Sequence, residues 1–255
     1  MRTNRTNGSL YTHIDRNIAV IEFGHTASNS FPSELLERLA NEFETLSRND
    51  QVAIIVLKSE GDRAFCAGAS FDELVAIDSL EQGKIFFSGF ANVINAMRKC
   101  SKLIIGRVQG KTVGGGVGLA AACDYVLATE HAAIKLSEFT IGIGPFVIAP
   151  VVKRKVGVSG LADLTLDATT WKNAYWAKEK GLYARVFENI ADMDKELAIF
   201  TEKLASYNPD ALQEMKKALW LGTEDWDALL MERAETSGKL VLSDFTKKAL
   251  AKFKK

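Results

Sequence analysis

Histidine is scarce in this sequence. Its three copies, His13, His25 and His131, lie far apart with no HExxH spacing, so no histidine-based metal site is expected. Cysteine is equally sparse. Cys66, Cys100 and Cys123 are odd in number and form no CxxC pair, which argues against a disulfide framework or a thiolate zinc site and for a reducing, cytoplasmic compartment. Lys plus Arg equals Asp plus Glu at 32 each, so no net charge draws the chain to nucleic acid or to an anionic membrane surface. No apolar run approaches the ~18 residues needed to span a bilayer, and the polar stretch at 1–17 has no leader pattern. The GxSxG serine motif is missing too.

What is present describes a globular chain of 255 residues, 47% hydrophobic and 25% charged, able to bury a full core. Residues 18–23, 52–57 and 103–108 are short apolar runs rich in β-branched residues, the pattern of strands covered on both faces. Between the first two, Leu35, Leu36, Leu39, Ala40, Phe43 and Leu46 recur at helical spacing, with Ser33 as the expected cap. Residues 80–99 form a second helix, with Ile85, Phe86, Phe90, Val93, Ile94 and Met97 as its expected buried stripe. Such β-α-β alternation implies a mainly parallel sheet flanked by helices. From about Ser159 helical patterns dominate. Gly181 is placed to end one helix, and 211–221, 225–240 and 243–255 read as further helices that either fold back over the core or pack on another subunit. The expected division is a core over 1–195 and a helical region over 196–255.

Two glycine-rich motifs invite a nucleotide reading and fail it. Gly110-Lys111-Thr112 resembles the end of a phosphate loop, but Ile105 stands where the upstream glycine is required. In the run Gly114 to Gly118, Leu119 occupies the third glycine position of a dinucleotide fingerprint. Two segments survive, each following a strand and opening a helix. The first runs from Arg63 to Glu73, where Ser70 and Glu73 have capping-box spacing. The second runs from Val108 to Ala122, where three glycines precede the helix GLAAAC. Small residues at a helix start leave backbone N–H groups open to a ligand, and the dipole favours developing negative charge. Tight turns and close packing without any ligand account for such glycines equally well.

The segments AFCAGASFDEL and GRVQGKTVGGGVGLAAACDYVLATEHAAIKLSE, in this order and spacing, resemble the enoyl-CoA hydratase/isomerase (crotonase) family, with weaker similarity over nearly the whole chain. The resemblance implies an α/β fold, a spiral of β-β-α units with a helical C-terminal region that covers the core and serves trimerisation. It implies an acyl-CoA substrate, no separate cofactor or metal, and a homotrimer or dimer of trimers. Carried over by position, Ala67 and Gly115 supply the N–H groups of an oxyanion hole, and Glu138 is the catalytic proton carrier. Ala67, Gly68, Ala69, Ser70, Gly115 and Gly118 fall on substrate-binding positions. Arg63 is a candidate for facing the nucleotide phosphates, and Asp124 reads as a structural cap. Three departures stand out: Ser70 replaces the motif's aspartate, Gly144-Pro145-Phe146-Val147-Ile148 replaces its glycine turn, and Gly118 stands where a hydratase has its first glutamate. The expected chemistry is proton transfer next to an acyl-CoA carbonyl, with hydration or isomerisation of an enoyl-CoA as the outcome; because hydration normally divides its work between two carboxylates and one is visible, a Δ3-Δ2-enoyl-CoA isomerase without hydratase activity is the alternative. A catalytically weak acyl-CoA-binding member is the alternative of another class.

Overall fold

The computed structural model describes residues 7–252. The chain enters a hairpin through Arg16 and Asn17, both at positive φ (45° and 66°), which gives the twist a two-residue antiparallel turn needs. That turn joins β1 (Ser9–Asp15) to β2 (Ile18–Gly24). Helix α1 (Ser33–Ser47) buries the expected Leu35, Leu36, Leu39, Ala40, Phe43 and Leu46. Its cap differs from expectation. Pro32 holds the N-cap position, and the Ser33 hydroxyl donates instead to Glu73, 2.5 Å away.

Strand β3 (Ile54–Ser59) starts two residues later than the apolar run, because Val52 closes a turn onto Asn49 and the ladder to β2 begins at Ile18–Ile54. Next come β4 (Ala64–Cys66), α2 (Phe71–Ala76) and α3 (Leu80–Lys99). In α3 the stripe Phe86, Phe90, Val93, Ile94 and Met97 is buried, but Ile85 is 60% exposed. One residue turns a helix by about 100°, which puts Ile85 beyond the edge of the buried stripe on which Phe86 lies. The chain continues through β5 (Leu103–Val108), β6 (Lys111–Val113), α4 (Gly115–Ala122), β7 (Tyr125–Thr129), β8 (Ile134–Lys135), a 3-10 turn (Glu138–Ile141) and α5 (Ala149–Leu166). Then α6 (Ala174–Glu179) ends before Gly181, whose φ of +86° suits the stop, and leads to β9 (Arg185–Phe187).

The pairing follows one rule. β3, β5 and β7 enter a six-stranded sheet of order β1-β2-β3-β5-β7-β9, and the strand after each, β4, β6 and β8, enters a small parallel sheet. Each pair then passes into a helical segment, so the chain winds as a spiral of β-β-α units. All six residues of β5 are buried, Arg107 among them.

Helix α7 (Ile190–Ala205) seals the outer face of the large sheet. Met193, Leu197, Phe200 and Leu204 pack there with Ile54, Leu103, Ile105 and Leu127, and Arg107 of β5 holds Asp194 through two bonds of 2.7 and 2.8 Å. The boundary expected at 195/196 therefore falls inside a helix that belongs to the core. Helices α8 (Pro209–Leu219), α9 (Trp226–Val241) and α10 (Asp244–Ala251) follow, shifted by one or two residues from the expected starts, and the end of the run 243–255 lies outside the described residues. They fold back over their own core: α9 packs along α3, and α10 sits on the 3-10 turn. No helix among the described residues is long and apolar enough to cross a membrane.

Candidate active site

The two glycine segments meet at one place. A Cβ on Gly68 would lie 3.1 Å from the Val113 carbonyl and 3.5 Å from the Gly115 nitrogen, so the first loop runs directly over the start of α4. Gly68 has φ +91° and Gly114 has φ +55°, conformations that favour glycine. Gly115 begins α4; the Val117 and Gly118 N–H groups turn back to the Gly114 carbonyl, whereas the Gly115 N–H, first in the helix, has no acceptor within it. Glu73 anchors the loop from behind, its carboxylate accepting from the Ser33 N–H and hydroxyl, while the Ser70 hydroxyl accepts from the Glu73 N–H at 3.4 Å. The reciprocal half of a capping box is thus absent.

Strand-like pairing decides which N–H of the loop is open. Phe31 donates to the Gly68 carbonyl and accepts from Ser70, both at 2.8 Å, so the N–H of Ala69 between them points away from Phe31. Among the described residues it meets no acceptor. Ala67, the residue named by motif position, instead donates its N–H to the Ser28 carbonyl at 3.1 Å. The open pair is Ala69 and Gly115.

Glu138 completes the arrangement. Its Oε1 stands 3.1 Å from where a Gly114 Cβ would be, and its Oε2 is buried without a hydrogen-bond partner. Burial away from water pushes its pKa up to about 7, against the smaller opposing pull of its own backbone N–H. The carboxyl borders a cavity of about 180 Å³ walled by Phe71, Phe86, Phe87, Phe90, Phe146 and Ile148. Among the described lining residues Glu138 is the one ionisable group. A larger groove of about 640 Å³ between α1 and α3 carries exposed charges of both signs such as Glu44, Arg48 and Lys99, and holds no comparable buried orphan.

Of the residues expected to bind substrate, Ala67, Gly68, Ala69 and Gly115 line the cavity and Ser70 and Gly118 do not. Ser70 is spent on α2. Gly118 is covered: a Cβ there would lie 2.4 Å from Cγ2 of Ile148, so Ile148 of the Gly144–Ile148 departure walls off that position. Arg63, just before β4, is exposed and lines no part of this cavity. Cys66 lies under Gly116, but burial pushes its thiol up to about 12, which removes it as a nucleophile. No group of metal-ligating side chains gathers among the described residues. Sequence reasoning placed Phe86 and Phe90 in the core, and missed Phe71, Phe87 and Ser237; nothing local marks Ser237, which comes from α9.

Comparison with known proteins gives the family and the fold. The profile described as enoyl-CoA hydratase/isomerase matches residues 13–253. A short-chain-enoyl-CoA hydratase of Clostridium acetobutylicum is 27% identical, covering 89% of this chain and 87% of its own. A peroxisomal Delta(3,5)-Delta(2,4)-dienoyl-CoA isomerase of Arabidopsis thaliana is also 27% identical, covering 69% and 66%. The crystal structure of an enoyl-CoA hydratase from Bacillus halodurans superposes with a TM-score of 0.88 at 19% identity, covering 95% of this chain and 99% of that one. The chain, with its β-β-α spiral, is a member of the enoyl-CoA hydratase/isomerase family, enzymes that act on acyl-CoA.

Proposed function

We propose that this enzyme shifts the double bond of a 3-enoyl-CoA to the 2-position, with Glu138 as its one proton carrier. The N–H groups of Ala69 and Gly115 hold the thioester oxygen, and each such donor is worth on the order of 3 kcal/mol toward an enolate. Glu138, ionised, takes the proton at Cα; the electrons move to the thioester oxygen; the same carboxyl then returns the proton at Cγ, and the double bond settles at C2–C3. A carboxyl poised near pH 7 suits both halves of that exchange. The observation that carries the reading is Ile148 over Gly118: hydrocarbon covers the position where hydration would need a second carboxylate to hold water. The test is a parallel assay of purified protein on crotonyl-CoA and a 3-enoyl-CoA. Isomerisation should exceed hydration by at least tenfold, and rapid hydration without migration would reverse the assignment.

The same reading takes the active form to be a homotrimer or a dimer of trimers. Exposed Val158, Leu166 and Leu221, at 66%, 78% and 76%, support a partner surface. Three buried, unpaired thiols support a reducing, cytoplasmic setting.

A further inference from the structure

One polar atom interrupts the apolar end of the cavity. Ser237 of α9 lines it, is 1% exposed, and its Oγ has no hydrogen-bond partner among the described residues. Helical serines and threonines usually return the hydroxyl to a carbonyl one turn back, as Ser88, Thr165, Thr201 and Thr236 do in this chain. Ser237 does not. Leaving a buried hydroxyl without a partner is unfavourable, so the group stands ready for a partner that arrives with the ligand.

Helix α3 measures the distance from this hydroxyl to the reacting end. Gly83 abuts Gly238 so closely that a Cβ on Gly83 would lie 2.9 Å from its Cα, while Phe90 abuts Gly115, whose Cβ would lie 2.3 Å from the ring. The seven residues from Gly83 to Phe90 span roughly 10 Å of helix. Phe86 and Phe87 fill the wall between. An extended chain advances about 1.2 Å per bond, so roughly eight bonds separate a thioester carbon held at Gly115 from a group beside Ser237.

The chemistry of the lining narrows what that group is. A terminal carboxylate would be desolvated with no Lys, Arg or His among the described lining residues to meet it, and a plain methyl would leave Oγ unpaired. We infer that Ser237 selects an acyl chain bearing a neutral oxygen, a hydroxyl or carbonyl, about eight bonds from the thioester carbon. This rests on the acyl-CoA reading of the Glu138 cavity.

Calorimetric titration of the purified protein tests it with octanoyl-CoA, 8-hydroxyoctanoyl-CoA and octanedioyl-CoA, alongside the hexanoyl and 6-hydroxyhexanoyl pair. Wild type should bind the 8-hydroxy compound about fivefold to tenfold more tightly than octanoyl-CoA, a typical discrimination for one hydrogen bond. The diacid should bind more weakly than either, and the shorter pair should show less preference. Ser237→Ala should erase the eight-carbon preference and leave octanoyl-CoA affinity unchanged. The inference is overturned if wild type prefers octanoyl-CoA, if the preference survives in Ser237→Ala, or if no acyl-CoA binds. Turnover of 3-enoyl-CoA is read separately: a hydroxyl preference without turnover removes the proton-transfer proposal alone, and turnover with no effect of Ser237→Ala removes this inference alone.

Discussion

The basicity of Glu138 comes from where its carboxyl is kept, and it has consequences in opposite directions for folding and for rate. Desolvation raises its pKa from 4.5 to about 7, so the folded state holds the proton more firmly than the unfolded chain does. The resulting stabilisation is fully present below pH 4.5, falls as the pH climbs, and is gone above about 7. Relative to Glu138→Gln, wild type should therefore lose on the order of 3 kcal/mol of unfolding free energy between pH 4 and pH 8 in denaturant titrations. The rate should do the reverse, because only the ionised carboxyl accepts a proton: kcat/KM should rise with an apparent pKa near 7. A flat profile from pH 5 to pH 8 would contradict the assignment. Glu138 and Gly115 were legible from the motif, since a motif fixes type and spacing. The open N–H at Ala69 was not. Which amide of the loop is free depends on Phe31 claiming its neighbours on either side, and that pairing is made only by the fold.

Elements carry a second dependence on distant residues. Asp124, read from sequence as a cap, sits between β5, α5 and α8. Its carboxylate accepts from Lys216 Nζ, Trp220 Nε1 and the Ile104 N–H, each at 2.7 Å, and its carbonyl accepts from Lys155 at 3.1 Å. The Asp124 and Lys216 side chains are each 3% exposed, so the pair is desolvated and every charged atom needs its partner. Lys216→Ala strands Asp124 and should cost about 3–5 kcal/mol, lowering the melting temperature by roughly 10 °C. A calorimetric melt that does not move would show that α8 contributes nothing to the core. The amphipathic helices α1 and α3 were legible because their apolar stripes are long. β8, two residues long, was not, because it exists by pairing with β6 and bridging to Lys172, and α7 was misplaced across a domain boundary because its apolar face answers to the sheet.

At the scale of the molecule, the spiral follows from the alternation of long and short strands, yet periodicity alone implied only a parallel sheet; the resemblance supplied the winding. The exposed apolar side chains of α5 and the α8–α9 turn argue for partners, and light scattering at micromolar concentration should give three or six times the chain's 28.0 kDa. A stable mass of 28.0 kDa would refute it. The central claim is that one carboxyl carries the proton across the acyl chain in a cavity whose described lining holds no second carboxylate. The measurement that tests it most directly is transfer of a label: a 3-enoyl-CoA deuterated at Cα is converted in ordinary water, and the 2-enoyl product is read by NMR. Deuterium recovered at Cγ, with turnover reduced by roughly two to four orders of magnitude in a folded Glu138→Gln protein, is the predicted result. Unchanged migration in that variant, or wild-type hydration without migration, would contradict it.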